Sequence, residues 1–199
     1  MKNSKELSGY LKLHLEPLRI KMGATTVVCG SGSLDSRIMI IGEAPGQEED
    51  EQGMPFVGRS GALLKRLLDR AEIDRRRVYI TNTVKCRPRD GVKNRPPTKE
   101  EISFCKPFLW KEMQEVRPKT IITLGLVPTR LLLRLSDKEK LSKYVGRFQS
   151  VDYIDATILP IWHPSFLLRT GLKYTDCATE MFIQARKSIE YNEDTKNNS

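Results

Sequence analysis

Four short apolar runs, separated by stretches of helical periodicity, constrain this chain more than any other feature. They are Arg37–Gly42 (RIMIIG), Val78–Thr81 (VYIT), Thr120–Leu124 (TIITL) and Thr157–Ile161 (TILPI). Each is too short for a helix of its own and suits a strand buried on both faces. The intervening segments read as helices. Leu7, Leu11 and Leu15 predict one over 4–18, ahead of a loop over 19–37. Ser60 is placed to cap GALLKRLLDRA, which puts Leu63, Leu64, Leu67 and Leu68 on one face. Thr98 and Glu101 form a capping box for a helix to about Val116. A short helix opens at Pro128 and runs through Leu135, and a last one covers Thr175–Ile189. Strands alternating with helices predict an α/β fold of three layers, with a central four-stranded parallel sheet between helices. At 199 residues the chain is expected to form one domain over 1–190, followed by a polar, disordered tail over 191–199.

In open parallel sheets ligands bind outside the carboxyl ends of the strands. The first run is followed by Gly42-Glu43-Ala44-Pro45-Gly46, the second by Asn82, the third by Gly125 and the fourth by His163-Pro164-Ser165. The segment 42–61 holds five glycines, which permit close approach to a ligand. Four of the five residues from Gln47 to Glu51 are acidic, so the segment reads either as a solvated turn or as a site that is not a phosphate cradle. Asn82 is either a turn start or a donor–acceptor pair able to read a pyrimidine edge. His163, one of two histidines, lies on the predicted binding edge, whereas His14 falls in the first helix. In His163–Arg169 (HPSFLLR) an apolar pair stands beside a hydroxyl and a cation, a combination suited to entering a base stack.

Thirty-four Lys and Arg against 25 Asp and Glu leave a net charge of +9, which favours a polyanionic partner, nucleic acid first among them. Lys85, Arg87, Arg89, Lys93 and Arg95 crowd a segment, Lys85–Pro97, whose three prolines argue against regular structure and which is expected to contact DNA backbone. No apolar run approaches membrane-spanning length and the first eighteen residues are too polar for a signal-peptide core, so an intracellular, membrane-free protein is expected. The four cysteines (29, 86, 105 and 177) make no C-x-x-C pair.

GEAPGQEED at 42–50, PFVG at 55–58, YITNTVKCRP at 79–88, TLG at 123–125 and HPSFLLR at 163–169 resemble the family 4 uracil-DNA glycosylases, in that family's order, from about residue 20 to 190. The resemblance implies hydrolysis of the N-glycosidic bond of deoxyuridine in single- or double-stranded DNA, by a monomer, leaving an abasic site for base excision repair. It implies that Phe56 stacks on uracil, that Asn82 bonds N3–H and O4, and that His163 stabilises charge on O2. Glu43 would orient water or stabilise the sugar cation, with Ala44 lining the same mouth and Glu49 excluding thymine. Ser165, Leu167, Leu168 and Arg169 would enter the groove and hold phosphate.

The family also implies a 4Fe-4S cluster on four cysteines. Cys86 and Cys105 match two of these ligands, but Leu15 and Leu18 stand where the other pair belongs, so no cofactor is expected unless Cys29 or Cys177 rescues the site. Rival readings are a covalently trapping relative, a catalytically weak DNA binder and an unrelated nucleotide-binding enzyme. The first needs a histidine that 83–104 lacks, the second loss of Glu43, Asn82 or His163, and the third a phosphate loop.

Overall fold

The computed structural model describes the backbone of residues 3–197 and the side chains of 3–190. In chain order, α1 (Ser4–Met22) precedes β1 (Ile38–Gly42), α2 (Gln47–Gln52), α3 (Arg59–Arg70) and β2 (Val78–Asn82). A two-residue hairpin, β3 (Arg89–Asp90) and β4 (Lys93–Asn94), leads to α4 (Lys99–Val116). Then follow β5 (Thr120–Leu124), α5 (Leu126–Leu133), β6 (Thr157–Ile161), α6 (Pro164–Arg169) and α7 (Thr175–Asn197). The four longer strands form one parallel sheet in the order β2-β1-β5-β6.

The pleat sorts β1 between two cores. Ile38 and Ile40 face a cluster with Leu63, Leu64 and Leu67 of α3 and Phe182 of α7. Met39 and Ile41 face Leu109 and Met113 of α4 and Leu132 of α5. Both faces of the sheet are covered, so its strands carry no polar alternation. A third cluster lies outside this sandwich, where Leu7, Leu11, Leu15 and Leu18 of α1 pack on Val84, Cys86 and Cys105.

Several boundaries differ from expectation. The acidic run is a helix, α2, because Glu49 closes a box onto the Gly46 N–H and the acidic first turn complements the helix N-terminus. Asp50, buried, accepts the Thr25 and Thr26 N–H groups and ties this helix to the segment after α1. Helix α1 runs one turn past residue 18 to a left-handed Gly23, and α3 is capped at Gly58 rather than Ser60. The proline-rich segment contains the small β3–β4 hairpin. Helix α7 continues past residue 190 to Asn197, through most of the expected polar tail, and Asn198 and Ser199 lie outside the described residues.

Candidate active site

The carboxyl ends of the four strands open into a cleft of about 570 Å³ lined by Glu43, Ala44, Glu49, Phe56, Asn82, Asn94, His163 and Ser165, among others. Register explains the meeting of distant residues. Gly42 pairs with Asn82 across β1 and β2, and Leu124 pairs with Ile161 across β5 and β6, which brings His163 beside Gly125.

Position 42 must be small. A Cβ there would fall 2.4 Å from Asn82 Oδ1 and 2.6 Å from Phe56 Cζ, so the amide and the ring both close over a bare backbone. Phe56 itself has φ 57°, a left-handed conformation that is uncommon without glycine. Two contacts hold it. The Val57 and Gly58 N–H groups donate to Glu49 Oε1 at 3.1 and 2.9 Å. Gly61 lies under its carbonyl, where a Cβ would sit 1.9 Å from the oxygen. The Glu49 carboxylate lines the cleft while fixing the turn that carries Phe56.

Asn82 is 2% exposed, and its side-chain amide, turned to the cleft, has no hydrogen-bond partner among the described residues. An amide that its own protein leaves open to the cleft is free to pair with a ligand or water there. Burial raises the Glu43 pKa above the ordinary carboxylate value.

His163 caps α6. Its Nδ1 accepts the Ser165 N–H at 3.1 Å and lies 2.8 Å from Ser165 Oγ, to which Arg169 donates at 3.3 Å. A nitrogen that accepts a backbone N–H cannot carry a proton, so the neutral ring is the Nε2–H tautomer. Burial, reinforced by the Arg169 charge, pushes the pKa down to about 4. At neutral pH the ring is uncharged and keeps Nε2–H as a donor. The Phe56 and His163 ring centroids are 6.0 Å apart.

Three expected DNA contacts are corrected, those of Lys85, Arg87 and Leu167. Lys85 is fully buried and ion-paired with Glu112 at 2.6 Å, so it cannot reach phosphate. Arg87 is buried and folds the hairpin, donating to Asn94 Oδ1 and the Val92 carbonyl. Arg95 is held in a bidentate pair with Glu101, at the rim of the cleft. Leu167 is a core residue, because α6 turns it onto the cluster beneath the sheet. Arg89, Lys93 and Arg169 are exposed, and Leu168 is half-buried. Ser165 meets His163 directly. The residues that sequence reasoning misses, Asn94 and Glu112, carry no chemical signal of their own; contact reveals them.

Residues 29–187 match the model of the uracil DNA glycosylase superfamily. The chain belongs to this superfamily. It is 42% identical over 151 residues to a type-4 uracil-DNA glycosylase of Thermotoga maritima, covering 75% of this chain and 76% of that one. It is 40% identical over 146 residues to the type-4 enzyme of Pyrobaculum aerophilum, covering 71% and 73%. A type-5 uracil-DNA glycosylase of the latter organism is 30% identical over 175 residues, covering 77% and 73%. These type-4 relatives are therefore more similar than the type-5 one.

The iron–sulfur cluster implied by the type-4 resemblance finds a poor donor set. Leu15 and Leu18 are buried against Cys86 and Cys105 in one apolar cluster that also takes in Cys29. Among the described residues no group of three or more His, Cys, Asp and Glu could hold a metal ion. Four thiolates are needed, and the residues present do not supply them. No helix among the described residues is long and apolar enough to cross a membrane.

Proposed function

We propose that this chain is a uracil-DNA glycosylase acting through hydrolysis at the strand-end cleft. The observation that carries the reading is the convergence of the unpaired Asn82 amide, the Phe56 ring and the neutral His163 donor in one cleft of a superfamily member.

A flipped uracil lies on Phe56, giving N3–H to Asn82 Oδ1 and taking Nδ2–H at O4. Cytosine presents the reverse pattern. The C1′–N1 bond breaks with its electron pair on the leaving uracil, and charge gathers on O2 within reach of His163 Nε2–H. A water oxygen then bonds to C1′ and its proton passes to Glu43, whose raised pKa makes its carboxylate a better base. Incubation with a uracil-containing oligonucleotide, then alkali, tests this. Strand scission at the uracil supports it. A denaturant-resistant adduct would mean covalent trapping, and an intact strand a binder only.

We also propose that the protein carries no iron–sulfur cluster, Leu15 and Leu18 packing where ligands would stand. The purified protein is expected to be colourless and iron-free. Cys86→Ser and Cys105→Ser should each cost about 1–2 kcal/mol in a denaturant melt, the scale of an ordinary small core substitution. A brown protein with several irons per chain would overturn this.

DNA backbone contacts fall to the exposed cations of the hairpin. Arg89→Ala with Lys93→Ala should weaken binding to uracil-free and uracil-containing DNA alike. The slope of log K against log salt should flatten by up to about 1.8. An unchanged slope would exclude the hairpin from the interface.

A further inference from the structure

A buried charged network stands directly behind Asn82, and nothing in the chemistry above uses it. Lys85 and Glu112 are both 0% exposed. The Lys85 ammonium directs its three donors to Thr81 Oγ1 at 2.7 Å, Glu112 Oε2 at 2.6 Å and the Asn82 backbone carbonyl at 2.5 Å. Glu112 in turn accepts from Thr81 Oγ1, the Tyr79 hydroxyl and the Gly30 N–H. Every donor of the ammonium is used, and both carboxylate oxygens are occupied.

The placement is specific. Strand β2 is an edge of the sheet, and its outer side is covered by the segment that pairs Ser31 with Ile80 and gives the Val28 N–H to the Lys85 carbonyl. That cover leaves out Asn82. The last peptide carbonyl of the strand, the one belonging to the base-reading residue, would otherwise face away from the sheet without a partner. Lys85 supplies it, and Glu112 holds Lys85 from α4. A buried ion pair is a poor device for stability alone, because apolar residues of the same volume serve as well. It does fix one geometry, since each charge must find the other.

We infer that Lys85 and Glu112 are positioning residues, setting the backbone from which the Asn82 amide meets the base. This rests on the assignment of Asn82 as the base reader. Misplacing such a group by about 1 Å can cost on the order of 10²-fold in rate.

The test is a double-mutant comparison on the full chain. Lys85→Met with Glu112→Leu removes both charges together, leaving neither buried alone. Thr81→Val, which deletes only the shared hydroxyl, serves as a second, near-isosteric variant. Each is made with Asn82 present and in an Asn82→Ala background. Single-turnover rates on uracil DNA, salt slopes of DNA binding and melting temperatures are measured.

The paired variant should lose roughly 10- to 10²-fold in rate when Asn82 is present, and almost nothing further when Asn82 is already gone. Thr81→Val should show the same dependence at smaller size. The salt slope should not move, since the ammonium touches no phosphate. Equal losses in both backgrounds, or no loss in either, would overturn the inference and leave a structural ion pair. A lowered salt slope would return Lys85 to the DNA interface and also overturn it. If Asn82→Ala alone left the rate unchanged, the base-reading assignment would have failed first, and the inference with it.

Discussion

His163→Ala lowers the single-turnover rate of uracil release by about 10²- to 10³-fold, the scale on which an aimed donor to a developing anion operates. The expectation follows from the leaving group. Breaking the C1′–N1 bond strands negative charge on uracil O2, and a preorganised N–H there gains most of its strength in the transition state. Binding to DNA carrying a non-cleavable deoxyuridine analogue should change far less. The pH dependence has a definite sign. With a pKa of about 4, His163 is neutral from about pH 5 upward, so it contributes no limb to the rate profile near 6.5, where an ordinary histidine titrates. Stability follows by linkage. Between about 6.5 and 4 the unfolded chain takes up the proton that the folded chain refuses, so this residue's contribution falls as pH drops through that window. His163→Ala should remove that part of the acid dependence. A near-normal rate in the variant would refute the role.

Asn82→Asp is the second large effect. The carboxylate keeps an acceptor for N3–H but loses the donor to O4, and it places negative charge beside a base that is itself becoming an anion. A loss of about 10²-fold in single-turnover rate on uracil is expected from one unmade bond in a site this buried. The preference for uracil over cytosine should narrow as well, since the donor–acceptor pattern is gone. Rates on paired uracil and cytosine oligonucleotides check both points, and an unchanged uracil rate would remove Asn82 from the site.

Much of the fold is legible in the amino-acid sequence. Strands covered on both faces read as unbroken apolar runs, so β1 and β5 stand out, and Thr98 with Glu101 announces α4 by its own capping chemistry. The same reasoning puts Glu43, Asn82 and His163 at strand ends, and all three line one cleft. The departures have a common source. Composition groups Lys85 with Arg89 and Lys93, yet its partner Glu112 lies 27 residues away on another element, and composition is blind to that distance. Leu167 groups with Leu168 because a helix of six residues is too short to reveal which side faces the core. The acidic run reads as a loop because the feature that makes it helical is a single glycine–glutamate box.

The central claim is that an uncharged imidazole with its proton on Nε2 faces the leaving base. Nitrogen-15 NMR of the histidine side chains, recorded between about pH 5 and 8, tests it most directly, with His163→Ala assigning the signals. The account predicts one unchanging pattern for His163 across that range, an acceptor Nδ1 and a protonated Nε2. An imidazolium at about pH 6, or a neutral ring protonated at Nδ1, would contradict it.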